Sequence, residues 1–232
     1  MPDKNISLRD KIGEQLRSNK VASFIAILLV VLLNGIDGFA PPLGIPVAVL
    51  FIWFLLRVSR TGWQDVGFKR PKSWLKTIGI GMGVVLFLQA LGIIVLFPMM
   101  QHFGIQLPDY SRFEEIRGNL PMLFVWLGVS WTTAGFGEEI IWRGFVMTRL
   151  AKILGGGKTA WGSSLILISI VFGLLHIYQG WFGVIMTGTV GLIFGILYIA
   201  SGRNLWCSII AHGLTDTTSF LIIYSGIYEH LI

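Results

Sequence analysis

Charge is scarce in this chain. Asp, Glu, Lys and Arg make up 13% of its 232 residues, about half the share carried by a soluble domain. Hydrophobic residues reach 54%, and the mean hydropathy is +0.74. These figures exclude a soluble globular enzyme and a disordered chain, since neither carries so much apolar surface with so little charge. Cysteine is scarcer still. Cys207 stands alone, which rules out an internal disulfide, a disulfide scaffold and a cysteine-based zinc cluster. It lies inside an apolar run and reads as a small buried hydrophobe.

What is present is a series of long apolar segments. They predict an all-α fold, a polytopic transmembrane helical bundle of about seven to eight spans. Seven can be drawn, at residues 21–36, 43–58, 75–100, 120–142, 160–177, 181–200 and 204–228. The Gly and Pro residues between Asn34 and Pro42 break the first two into a hairpin. The first is expected to be a retained anchor, because the small-x-small site Gly38-Phe39-Ala40 runs directly into Pro41-Pro42. Residues 101–118 read as an amphipathic interfacial loop. The pair Gly191/Gly195 allows close helix contact inside the bundle.

The net charge of +6 does not point to nucleic acid, because the basic residues form no continuous patch. They fall instead in alternate loops. Lys4, Arg9, Lys11, Arg17 and Lys20 precede the first span, and Arg57 to Lys76 contribute six more between the second and third. Arg149, Lys152, Lys158 and Arg203 continue the pattern, whereas the opposite loops hold only Arg112 and Arg117. By the positive-inside rule this is a multi-pass protein of the cell membrane with a cytoplasmic N-terminus and an outside C-terminus.

Ionisable side chains inside the bilayer are functional candidates. After the loops are set aside there remain Glu138, Glu139 and Arg143 in one segment, His176 in the next, and His212 with Asp216 in the last. Glu139 and Arg143 stand four apart and share a helix face suited to an ion pair. Glu138 is turned about 100° from Glu139. Phe172/His176 and His212/Asp216 repeat the four-residue spacing. One carboxylate and two histidines suit three tasks: activating a water for hydrolysis, holding a catalytic metal such as zinc, or relaying protons in a transporter. The set Glu138, His176 and His212 is the candidate metal site. Other chemistries lack their signatures, with neither a His-Glu-x-x-His helix nor a Gly-x-Ser-x-Gly elbow present. Ser130, Ser163, Ser164 and Ser208 read as helix serines bonded to backbone. Depth poses a problem: His176 lies about 24 Å and His212 about 12 Å from the basic side at helical rise. Their meeting therefore predicts a tilted or displaced fifth span.

The three motifs Glu138-Glu139-x-x-x-Arg143, Phe172-x-x-x-His176 and His212-x-x-x-Asp216 together resemble the CPBP intramembrane proteases. That group contains the CAAX prenyl endopeptidases of type 2 and the bacteriocin-processing or immunity proteins, also called the Abi family. The resemblance covers about residues 120–220. It implies a catalytic core over 119–232, which leaves the cytoplasmic N-terminal segment read from charge over 1–20 and accessory transmembrane helices over 21–118. It also implies hydrolysis of a peptide bond in a membrane-associated, CAAX-type peptide or protein, with the lipid bilayer as the other partner and no nucleic acid. Carried over by motif, Glu138 activates water with His176. His212 and Asp216 stabilise the oxyanion or hold the site, and Glu139 pairs with Arg143. Family members leave open whether zinc or glutamate-activated water does the work. The alternatives are a non-catalytic immunity or scaffold protein and a proton-coupled transporter.

Overall fold

The computed structural model describes residues 7–38, 43–106 and 111–227. Among them every regular element is helical. The helices are α1 (Leu8–Ser18), α2 (Lys20–Asn34), α3 (Gly44–Val58), α4 (Trp74–His102), α5 (Leu120–Ile153), α6 (Lys158–Leu174), α7 (Ile177–Ala200) and α8 (Leu205–Ser225). Their starts are set by polar caps that the sequence places just ahead of apolar runs. The side chains of Asn19, Ser73, Asn119 and Asn204 accept from first-turn amides of α2, α4, α5 and α8, satisfying donors that a helix leaves unpaired. Asn204 also donates through Nδ2 to the Lys69 carbonyl at 3.0 Å, which anchors the start of α8 on the loop before α4.

The expected hairpin break begins with a short turn at Gly35–Gly38, and its remainder, residues 39–42, lies outside the described residues. Part of the 101–118 loop (107–110) does as well. Its latter half packs inward: Ile116 is buried with Leu123 and Ile223.

By length and composition, α4, α5 and α7 are long and apolar enough to cross a membrane, and the bent pair α1/α2 counts as a fourth if taken as one span. This is fewer than the seven expected from apolar runs. At 1.5 Å per residue, helices of 15 to 17 residues reach only about 23–26 Å, short of a hydrocarbon core of about 30 Å. Helix α8 has the length, with 21 residues, but Thr215, Asp216, Thr217, Thr218 and Ser219 dilute its apolar character.

The largest buried cluster is built around the second half of α5. Ile140 through Met147 are all buried, packed by Val30 of α2, Ile52 of α3, Phe172 of α6, Tyr198 of α7 and Leu205 of α8. α5 is thus the central post of the fold. Close crossings depend on glycine. Gly191 faces the Phe172 ring and Gly195 faces Leu165, so this small-residue pair serves packing within the bundle. Gly137 and Gly144 of α5 meet Ile45 and Val66 in the same way. A close backbone approach joins α6 and α7, where a Cβ on Gly173 would stand 2.6 Å from the Val184 carbonyl oxygen. Gly79 of α4 has nothing within 4 Å.

This contrast yields a stability prediction. Gly173→Ala is expected to lower the thermal midpoint in detergent, at a cost of about 1–3 kcal/mol for overpacking against rigid backbone. Gly79→Ala is expected to leave the midpoint unchanged or raise it, because alanine favours the helix. A Gly173→Ala midpoint equal to wild type would show that α6 and α7 are free to separate.

Candidate active site

The polar residues come together where α5 meets α8. The two helices run antiparallel and are joined rung by rung. Near one end Ser130 donates to Asp216 Oδ2 at 2.5 Å, and Trp131 Nε1 donates to Thr217 Oγ1 at 3.1 Å. Further along, Gly135 lies against Gly213, 3.6 Å from its Cα at the position of a Cβ, letting the backbones approach. Beyond that, Glu139 receives a hydrogen bond from His212 Nδ1 at 2.9 Å.

Glu139 is the hub. Its side chain is wholly buried, and Arg143, 2% exposed, donates to the same Oε1 at 2.7 Å. Arg143 spends a second N–H group on the Gly191 carbonyl of α7 at 3.1 Å. Its guanidinium also lies 5.0 Å from the Phe172 ring centroid and 5.6 Å from that of Phe194, where the ring faces attract the cation. One buried arginine therefore ties α5 to α6 and α7, while the carboxylate it balances ties α5 to α8.

Local backbone geometry separates the two adjacent glutamates. Trp131–Glu138 and Ile140–Met147 are π-helical, a wider winding frequent at functional sites. Spacing arguments based on an ordinary α-helix do not reveal it. Glu139 turns into the core, whereas Glu138 is half-buried and makes no hydrogen bond to another described residue. The charged groups within electrostatic reach of Glu138 are His212, Asp216, Arg143 and Glu139. A carboxylate held partly out of solvent, with its lone pairs uncommitted, is suited to accept a proton from a bound molecule.

The two histidines are oriented alike. His212 Nδ1 faces a carboxylate and His176 Nδ1 faces the Phe172 carbonyl at 2.8 Å. Both partners are acceptors, so Nδ1 carries the proton in each ring and Nε2 keeps the remaining valence. His212 Nε2 stands 3.8 Å from Asp216 Oδ2, too far for a hydrogen bond. Glu139, rather than Asp216, therefore orients this ring. His176 is not helical: α6 ends at Leu174, and His176 opens the short turn into α7. Its ring rests on Phe172 with centroids 4.8 Å apart, and it lies within electrostatic reach of His212.

The metal question can be put to the donors themselves. Among the described residues no three His, Cys, Asp or Glu side chains are grouped so as to hold an ion. Glu138, His176 and His212 do not form such a set as the side chains stand.

Sequence reasoning passed over three participants. Ser130 was grouped with the backbone-bonded helix serines, and its partner Asp216 is 86 residues away. Gly191 reads from the sequence only as half of a small-residue packing pair, and nothing in the sequence singles out Phe194. A serine in an apolar run five residues before Gly135 is the signal the sequence offers. Among the other serines, Ser208 does bond backbone, to Leu205.

Removing one member of the buried pair is expected to be costly. Arg143→Met should destabilise the protein by about 3–5 kcal/mol, because it leaves the Glu139 carboxylate buried without its counter-charge. The double change Glu139→Gln with Arg143→Met should recover part of that loss in thermal melts. A double variant no more stable than Arg143→Met would show that the pair does not act as a unit.

In comparisons with known proteins, residues 120–218 match the family described as type II CAAX prenyl endopeptidase, Rce1-like. The matched stretch runs from the start of α5 through most of α8 and contains every residue of the network above. No curated protein and no solved structure matches the chain. Over this segment, a little under half of its length, the chain is similar to the Rce1-like family of type II CAAX prenyl endopeptidases.

Proposed function

We propose that the protein is an intramembrane endopeptidase that hydrolyses a peptide bond in a membrane-associated, prenylated CAAX-type substrate, with Glu138 as the base that activates water. The observation that carries this reading is the contrast between the neighbouring glutamates. Glu139 is wholly buried and its Oε1 is held by both Arg143 and His212, while Glu138, half-buried beside them, has no hydrogen-bond partner among the described residues.

Glu138 takes a proton from water as the hydroxide adds to the scissile carbonyl carbon. The resulting oxyanion needs a donor, and the Nε2 edges of His176 and His212 are the groups available for that task when protonated. Glu138 then returns the proton to the leaving amine, giving a carboxylate and a free amine. Asp216, held by Ser130, keeps α8 in register and sets the field at His212 Nε2. Glu139 and Arg143 position His212 and do not themselves touch the reacting atoms.

The remaining topology belongs to the same proposal. The N-terminus and basic loops face the cytoplasm, and α2, α3, α6 and α8 complete seven passes alongside α4, α5 and α7, the bilayer thinning locally around the shorter helices. α1 is the cytoplasmic segment.

Activity is tested on purified full-length protein in detergent with farnesylated CAAX peptides. Glu138→Gln is expected to reduce kcat by about 10²–10⁴-fold, the span of general-base catalysis, with an unchanged thermal midpoint. His176→Ala and His212→Ala are expected to lose activity as well, and Ser130→Ala to lose less. Cleavage by Glu138→Gln at the wild-type rate would overturn the assignment.

Topology is tested with an impermeant maleimide on intact cells. A cysteine at Lys11 is expected to react only after permeabilisation, and one at Ile227 without it. Native Cys207 is buried and should stay silent. Labelling of both positions from outside would overturn the seven-pass arrangement.

A further inference from the structure

A second polar feature lies away from the candidate active site, at the basic end of the molecule. A cleft of about 360 Å³ opens where the α1–α2 junction meets the ends of α3 and α5. Arg17, Lys20, Arg149 and Lys152 line it. Among the described residues none of these four has a carboxylate partner within 4 Å. One carboxylate, Asp65, stands on the wall, but it already accepts from the Gly62 amide at 2.8 Å. The wall thus carries four positive charges against one negative.

The two arginines are fixed in place. Arg17 donates to the Ser59 carbonyl at 2.6 Å and Arg149 to the Leu16 carbonyl at 3.0 Å. The Arg149 guanidinium also lies 4.6 Å from the Phe145 ring centroid. Each guanidinium has five N–H donors, so most remain available. Ser59 supplies an independent sign of a ligand. It lines the cleft and is fully buried, yet its Oγ has no hydrogen-bond partner. A buried unpaired hydroxyl is costly, and an oxyanion in the cleft would satisfy it.

The setting indicates what carries that oxyanion. α1 meets α2 at 93°, and Leu8 and Ile12, one turn apart on α1, are 74% and 45% exposed. Their neighbour Leu16 is buried. A helix with such a stripe, turned perpendicular to a membrane-directed partner, lies along the headgroup layer. The cleft at its C-terminal end is therefore at headgroup level.

We infer that this cleft binds a phosphate group, carried by an anionic phospholipid. Arg17, Lys20, Arg149 and Lys152 provide charge-assisted donors and Ser59 a hydroxyl donor. The bound headgroup clamps α1 and α2 to the end of α5, the helix that carries Glu138.

The test is thermal melting of the full chain in neutral detergent, titrated separately with short-chain phosphatidylglycerol, phosphatidylcholine and glycerol phosphate. Phosphatidylglycerol is expected to raise the midpoint by several degrees. Phosphatidylcholine has the same phosphodiester beside a choline cation that the basic wall repels, and should do little. The pair Lys20→Gln with Lys152→Gln, both exposed side chains, is expected to weaken the apparent affinity about tenfold or more. Lys20→Arg with Lys152→Arg should retain binding, and Ser59→Ala should weaken it less. Equal stabilisation by glycerol phosphate would support the phosphate site but overturn the lipid as its source. No stabilisation by any of the three, or the same response in the glutamine pair, would overturn the site itself.

Discussion

A single buried carboxylate holds the functional half of this protein together. Glu139 has no exposure to solvent, and one of its oxygens receives both the Arg143 guanidinium and the His212 ring. In a low-dielectric interior an unpaired carboxylate costs several kcal/mol, so these contacts must all be present together. Each partner belongs to a different part of the bundle. Arg143 reaches the Gly191 carbonyl and the rings of Phe172 and Phe194, while His212 comes from α8. The relative placement of α5, α6, α7 and α8 is therefore coupled to the satisfaction of one charge.

The π-helical winding of α5 and the small residues around it are the local means by which this is achieved. Gly135 lets α8 come close through Gly213, and Gly137 and Gly144 admit Ile45 and the Val66 carbonyl. With Glu139 committed to the core, its neighbour is directed elsewhere, and Glu138 is left half-buried with its lone pairs uncommitted. The same arrangement that stabilises the fold thus produces a carboxylate suited to proton transfer. Fixing one glutamate frees the other.

Parts of this site were legible in the sequence. Charge is so rare in the apolar segments that Glu138, Glu139, Arg143, His176, His212 and Asp216 stood out by elimination, and the four-residue spacing paired Glu139 with Arg143. Spacing could not reveal the partner of His212. Asp216 is its neighbour on the same helix, yet the close contact is to Glu139, 73 residues away. Ser130 was passed over because a helical serine bonding its own backbone and one bonding an aspartate on another helix look the same in a sequence. The apolar run to residue 177 suggested that His176 lies within its helix. The helix ends at Leu174, and the histidine stands in a turn.

What the sequence by itself determined is the helical class, the caps that start α2, α4, α5 and α8, and the inventory of groups capable of chemistry. Each follows from local rules: apolar periodicity, unpaired first-turn amides and the cost of charge in hydrocarbon. Only the tertiary structure decided which groups are consumed by the core and which remain free, how many helices have the length to cross a bilayer, and where the basic residues converge on a cleft. Those outcomes depend on contacts between segments far apart in the chain, where burial raises the cost of every unpaired charge and so selects its partner.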